Sequence, residues 1–238
     1  MDPRDVDDAV RRDEDRVRRE YARRSTDARM RRYHARIEPA LRRANAERRN
    51  LLLGELDQVG DRSRLRVLDV GCGSGADLAF LAGAGFDASR LAGVDVVAER
   101  VQDARSLLPA ADIRQISAAT LPFDDGAFDC VVQAVALSSV VDPVVRGRIA
   151  SEMLRVTRPG GKIVSYDLVA IRDRNPHLVP IDRDELSSLF GASRVADERR
   201  LAVLLPLVSR APAWVRRIAA FVPALHTHSL AVIRREDD

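Results

Sequence analysis

The 238-residue sequence predicts an α/β protein: a mostly parallel sheet with helices on both faces, preceded by a helical N-terminal segment. Three observations predict it. From Arg66 onward, short apolar runs alternate with stretches of helical period. The first of these runs, Val67 to Val70, passes through Gly71, Gly73 and Gly75 straight into a helical pattern at Ala76. Before it, about sixty residues show helical periodicity only.

In residues 4–24, Val6, Val10, Val17 and Tyr21 make one thin apolar stripe among Arg, Asp and Glu. Ser25-Thr26-Asp27 reads as a break and a new N-cap. Met30, Tyr33, Ile37, Leu41 and Ala44 continue the helical period to Leu51–Leu56, and Pro39 is expected to kink this segment or start a fresh helix. Strands follow at Arg66–Val70, Leu91–Asp95, Asp112–Ile116, Phe128–Gln133 and Lys162–Val169, with helices at Ala76–Gly83, Ala98–Leu108 and Pro143–Thr157. Asp142-Pro143 has the form of an N-cap followed by proline in the first turn. Arg158-Pro159-Gly160-Gly161 reads as a tight turn, and Asp182 with Glu185 has capping-box spacing ahead of a short helix to Phe190. Two further strands, Arg194–Leu205 and Thr227–Arg234, flank a proline-bearing insert at Pro206–Leu225. The organisation is a helical cap over residues 1–60 and an α/β domain over 61–238.

Composition narrows the function classes. With 46% hydrophobic residues the chain has enough apolar material for a core. No apolar run is long enough to span a bilayer, and the charged start Met1-Asp2-Pro3-Arg4-Asp5 has no signal-peptide core, so a cytoplasmic protein is expected. Cys72 and Cys130 lack metal-ligand or disulfide spacing and read as buried apolar residues; no metal site is expected. Sixteen arginines against eleven acids in the first fifty residues make a basic arm, but the acids are interleaved and dilute its field. The 4% aromatic content argues against stacking on single strands, so no nucleic-acid partner is expected. A monomer or homodimer is expected.

The glycine turn is the chemical centre. A strand entering a helix through glycines leaves backbone that a ligand approaches closely, because no Cβ intervenes. Gly71-x-Gly73-x-x-Ala76, with Asp95 about twenty residues on, also fits the dinucleotide fingerprint, so the turn alone leaves two nucleotide-like cofactors open.

Further motifs separate them. Val67-Leu68-Asp69-Val70-Gly71-Cys72-Gly73-Ser74-Gly75, then Gly93-Val94-Asp95, then the segment Leu121 to Asp129, then Glu152 to Gly161 resemble, in order, the motifs of class I S-adenosylmethionine-dependent methyltransferases. The likeness covers residues 65–170. Gln133 through Ser138-Ser139, Ser165-Tyr166-Asp167, Asn175-Pro176 and Leu225 to Leu230 resemble a bacterial branch associated with glycan or natural-product biosynthesis. The resemblance implies a Rossmann-like seven-stranded, mostly parallel sheet whose last strand is antiparallel. It implies S-adenosylmethionine as methyl donor and S-adenosylhomocysteine as product. It also implies roles: Asp69 at the methionine ammonium or orienting the turn; Gly71, Cys72 and Gly73 beneath the methionine and sugar; Asp95 on the ribose hydroxyls; Val96 on adenine; Ser117, Ala118 and Ala119 bordering adenine; Gln133 and Ala134 at the methionine end. The chain departs from the pattern at Ser117, where many members carry Asp, and at Ser138-Ser139, where a His pair is common.

Methyl transfer from a sulfonium is an in-line displacement that needs alignment and water exclusion, and a base only where the acceptor loses a proton during attack. Asp167, near the end of the fifth strand, is the first candidate base or acceptor anchor; a polar anchor for the following loop is the alternative reading. His177 in that loop is the second candidate, or a surface histidine. His226 and His228 read as structural, and Asp124-Asp125-Gly126 as a turn. Tyr21, Tyr33, Arg32, Trp214 and Phe221 are candidates to close over a small-molecule acceptor. The leading expectation is O-methylation of a sugar or natural product, for which an arginine-rich cap would suit a phosphate-bearing acceptor. A non-catalytic binder of the donor or its product, used as scaffold or sensor, and a nucleic-acid methyltransferase are the alternatives.

Overall fold

The computed structural model describes residues 3–170, 175–191, 194–201 and 227–236; at Pro3, Ser25, Arg200, Leu201 and for most of residues 29–40 it describes the backbone alone. The expected side-chain stripe Met30–Tyr33–Ile37, His226, and the insert with Trp214 and Phe221 lie outside the described residues.

Seven strands form one sheet in the order β3-β2-β1-β4-β5-β7-β6. They are β1 Val67–Val70, β2 Leu91–Asp95, β3 Asp112–Gln115, β4 Phe128–Ala134, β5 Thr157–Leu168, β6 Val195–Leu201 and β7 His228–Arg234. Strands β1 to β5 pair in parallel, and β7 runs antiparallel to both β5 and β6. This is the Rossmann-like fold expected. β1 and β2 are buried along their whole length, because helices cover both faces of a parallel sheet.

The helices are α1 Pro3–Thr26, α2 Ala28–Asp57, α3 Ala76–Gly83, α4 Ala98–Leu107, α5 Pro143–Val156 and α6 Arg183–Phe190. The caps are those the sequence predicts. Asp142 accepts from the amides of Val144 and Val145, with Pro143 in the first turn. Asp182 accepts from Glu185 N at 3.0 Å, while the Glu185 carboxylate turns to Arg146 instead of closing the box. Two hydrophobic clusters sandwich the sheet. One, with Leu68, Val131, Met153 and Phe190, faces α5, α6 and α1; the other, with Val67, Leu91, Leu78 and Leu56, faces α2, α3 and α4.

Three expectations need correction. α2 is one helix through position 39, so proline there starts no new helix. Residues 158–161 are not a turn ahead of β5 but a bulge within it: Phe128 pairs with Thr157 and Cys130 with Lys162, and the intervening residues loop out with Gly160 at φ +67°. On α1 the buried positions are Ala9, Asp13 and Glu20, not the all-apolar stripe. The acids are tolerated there because each meets cations or loop amides, as described below.

Candidate functional site

The glycine turn is held by its own backbone. Gly71 and Cys72 amides both donate to Val94 O of β2, at 2.8 and 3.0 Å, and Gly75 N closes on Cys72 O at 3.0 Å. Gly71, Gly73 and Gly75 all sit at positive φ, where other residues are strained. A Cβ at Gly71 would lie 2.8 Å from that of Ala136, so the turn and the end of β4 touch too closely for a side chain. The 71–73 amides are thus spent on the protein. Contact with a ligand from Gly71 is by close approach, not by free donors.

Asp95 ends β2. Its carboxylate is buried, with Oδ2 accepting from Gly73 N and Oδ1 from Val97 N, both at 2.9 Å. One oxygen is tied to the glycine turn and the other to the start of α4, so the group is fixed in orientation while each oxygen keeps a lone pair. Arg100 lies 3.8 Å from Asp95 and covers Gly73.

A cavity, open at its mouth, lies over these residues. Of the expected site residues it is lined by Gly71, Asp95, Val96, Ser117, Ala118 and Ala134. The others lie elsewhere. Cys72 is buried against β2, and burial, followed by Asp69 and Asp95, pushes its thiol pKa up. Gly73 is screened by Arg100. Ala119 is buried in the core, its amide on Ser117 Oγ at 3.1 Å and its carbonyl accepting from Arg148 at 3.1 Å. Asp69 faces a small second hollow with Arg48, Asp77, Gln133 and Tyr166, behind the turn. Burial raises its carboxyl pKa, and the neighbouring Asp77 adds to the shift. Asp77 itself is held low by Arg48, at 2.7 Å, and Arg49, at 2.8 Å, which outweigh its burial.

Gln133 and Asp167 are not on the cavity wall; they stand behind it. Gln133 Nε2 donates to Ser165 Oγ at 2.6 Å and to Asp167 Oδ2 at 3.0 Å, and its Oε1 accepts from Ala136 N at 2.9 Å. Asp167 accepts from Ser138 N and Leu168 N, at 3.3 and 3.1 Å. Burial raises its pKa to about 6 against the opposing pull of these hydrogen bonds. This network surrounds Val135, which lines the cavity at φ +61°. It is the one non-glycine residue at positive φ among the described residues, and for a β-branched side chain that conformation costs on the order of 1–3 kcal/mol. Val135 N donates to Tyr166 O at 2.8 Å, and its carbonyl accepts from Ser139 Oγ at 2.8 Å. The Ser138-Ser139 pair therefore pins a strained turn where His is common in the resembled family. No sequence pattern marks Val135, because strain is a property of the surrounding fold.

α1 closes the other side of the cavity with Asp13, Glu14, Val17 and Tyr21. Asp13 accepts from Val141 N at 3.2 Å, and Arg16 bridges Asp13 to the carbonyl of Ser139. Arg18 Nε reaches Val96 O at 3.2 Å, and Tyr21 stacks under the Arg100 guanidinium at 4.5 Å. Glu20 is buried beneath Arg23 and Arg24, whose hydrogen bonds hold it down at about 2, and His177 Nε2 stands 3.5 Å away. His177 does not line the cavity. Its Nδ1 is buried without a partner among the described residues. His228 stacks on Tyr166 at 5.0 Å, and burial lowers its pKa to about 4. Arg32 is exposed. Asp13 and Glu14 were missed in sequence because charged residues in a charge-rich helix look like a solvated face.

The cavity suits an adenosyl ligand: a rigid buried carboxylate for a diol, a Cβ-free floor at Gly71, and apolar walls at Val94, Val96 and Ile116 for a flat ring. Among the described residues, no three or more His, Cys, Asp or Glu side chains gather as a metal site, and no helix is long and apolar enough to cross a membrane.

Residues 68–165 match the family described as Methyltransferase domain. Demethylmenaquinone methyltransferase of Beutenbergia cavernae is 40% identical over 109 residues, 46% of this chain and 43% of that protein. The chain spans less than half the length of that relative and of others it matches. Among solved structures, a chain of the complex between the Haloferax volcanii Trm112 methyltransferase activator and a methyltransferase aligns with TM-score 0.66 at 20% identity, covering 93% of this chain and 98% of that one. A SAM-dependent methyltransferase from Methanosarcina mazei aligns with TM-score 0.57 at 18% identity, covering 77% and 97%. At such identities the structures speak for the fold alone; it is the sequence over residues 68–165 that is similar to the methyltransferase-domain family.

Proposed function

We propose that the protein transfers a methyl group from S-adenosylmethionine to a small-molecule acceptor. The observation that carries this reading is Asp95, buried at the cavity rim with both oxygens oriented by Gly73 N and Val97 N. On this reading its remaining lone pairs accept the two ribose hydroxyls, charge-assisted bonds of the stronger kind. When bound, the donor supplies a methyl on a positively charged sulfur, already a good leaving group.

The chain's own work is then positioning. Gly71 admits the ligand against the turn. Val96 and Ile116 hold the adenine, and Ser117 and Ala118 border it. The Val135–Ala136 corner, held by Gln133, Asp167 and the two serines, shapes the wall at the far end. α1 excludes water from above. On this reading Asp167 is a positioning residue acting through Ser138 and Gln133. The other candidate base, His177, lies off the cavity wall with Glu20 facing its Nε2.

The narrower assignment, oxygen of a sugar or natural product, rests on the resemblance. A phosphate-bearing acceptor finds no special support, since the cavity wall from α1 carries Asp13 and Glu14, while Arg11, Arg16, Arg18 and Arg23 pair with carboxylates of their own helix. A binder without turnover is the second reading, favoured by the absence of Asp167 and His177 from the cavity wall.

Calorimetry with S-adenosylmethionine and S-adenosylhomocysteine tests the first step. Wild type binds both, and Asp95→Ala binds neither measurably; a wild type that binds neither overturns both readings. A methyl-transfer screen over sugars, nucleotide sugars and phenolic metabolites then separates an enzyme from a scaffold.

A further inference from the structure

We infer that Glu14 of α1 is a ligand-binding residue: its free carboxylate oxygen accepts a hydrogen bond from the 6-amino group of the bound donor's adenine. The inference rests on the adenosyl reading of the cavity and extends it to a helix outside the matched domain.

Glu14 lines the cavity. One of its oxygens, Oε2, is held by Arg18 at 2.9 Å. The other, Oε1, is buried with no hydrogen-bond partner among the described residues. Buried polar atoms are nearly always satisfied, and a carboxylate oxygen without a donor is costly, so one left bare on a ligand cavity points to a donor on the ligand. An adenosylated sulfonium amino acid offers three kinds: ribose hydroxyls, the α-ammonium and the adenine amino group. The hydroxyls belong to Asp95 on the proposed reading. Position along α1 separates the other two. One turn after Glu14, Arg18 reaches the carbonyl of Val96. The same guanidinium holds Glu14 Oε2, so one side chain ties the carboxylate to Val96. Glu14 therefore stands on the side of the cavity running from Val96 to residues 116–118, whereas the α-ammonium belongs with the Gly71 end. On that adenine side, Ser117 offers no charge, and its hydroxyl already accepts from Ala119 N.

The test compares S-adenosylhomocysteine with S-inosylhomocysteine, in which a carbonyl replaces the 6-amino group, by calorimetry on wild type, Glu14→Ala, Glu14→Gln and Arg18→Ala. A charge-assisted bond of this kind is worth roughly tenfold or more in affinity. Wild type is expected to favour the amino ligand. Glu14→Ala should bind it roughly tenfold more weakly and lose most of that preference. Glu14→Gln should fall between, and should decide the matter if the alanine variant fails to fold. Arg18→Ala, which keeps the carboxylate, should retain the preference. If the Glu14 variants bind both ligands equally more weakly, the carboxylate meets the ammonium or only the general charge, and the proposal is overturned. Loss of preference in Arg18→Ala overturns it too, because Glu14 would then act through Arg18. Unchanged binding in the Glu14 variants refutes the proposal while leaving the donor reading intact; no binding by wild type refutes the donor reading itself.

Discussion

The cavity has two walls of different construction. The sheet-side wall is backbone: the glycine turn hung from Val94 O, Asp95 strapped to two amides, and the Val135 corner held by buried hydrogen bonds. The α1 wall is side chain: Asp13 and Arg16 clasp the Ser139–Val141 loop, Arg18 touches Val96 O, and Tyr21 meets Arg100. Ion pairs that keep part of their exposure contribute little each, about 0–1 kcal/mol, whereas buried backbone bonds and left-handed glycines leave no cheap alternative. One wall is thus part of the folded core, and the other is a cover held by a few separable clasps. Changes to the first should alter stability and binding together, and changes to the second should alter binding with little cost to the fold.

The largest break is expected at Gly71→Val. Its φ of +74° and the 2.8 Å approach of Ala136 leave no room for a branched side chain. A loss of roughly 3 kcal/mol or more and at least ~100-fold weaker donor binding are expected, read by urea denaturation and calorimetry. A variant that keeps both would mean the turn relaxes freely, and the walls would not differ as described.

Next is Asp167. Its folded pKa, near 6, lies above the ordinary carboxylate value, so protonation favours the fold. That contribution is complete below about pH 4 and is lost as pH rises through about 6. The stability of Asp167→Asn relative to wild type should therefore climb by up to roughly 3 kcal/mol between pH 4 and 7. A difference that stays flat over that range would show a carboxyl that titrates normally. His228 has the opposite sign. Its pKa is lowered to about 4, so its contribution is present above about pH 6.5 and is lost as pH falls through 4. His228→Phe should blunt acid unfolding.

A smaller effect is expected from Arg16→Ala, which opens the clasp on Ser139. Donor affinity should fall about three- to tenfold, with a stability loss of about 1 kcal/mol. Comparable losses at Arg16 and Gly71 would erase the distinction between the walls. The smallest stability change is expected at Val135→Gly. Relief of strain and the added chain entropy of glycine nearly cancel, within about 1 kcal/mol, while methyl transfer slows as the corner loosens.

Of the sheet-side wall, the glycine turn and Asp95 are legible in the sequence because they are local, and the Val135 corner is not. The strand, the glycines at fixed offsets and the acid ending the next strand announce a turn and a carboxylate without any knowledge of packing. The same locality gave β2 and α3 their bounds and α5 its cap. Asp167 could be picked out as polar among apolar neighbours, but not placed: whether it faces a ligand or braces a loop depends on Gln133 and Ser138, more than twenty residues away. Pro39 starts no fresh helix, since α2 runs from Ala28 to Asp57 without a break.

The succession of the elements along the chain, the parallel core and the geometry of the turn follow from residue type and spacing alone, since apolar period and glycine conformation act within a few residues. The tertiary structure alone decided which face of a charge-rich helix became a wall. Asp13 and Glu20 are buried because loop amides and arginines meet them, and Glu14 lines the cavity with one oxygen that no described residue meets. The burial of a charge depends on partners that the chain brings together only when it folds.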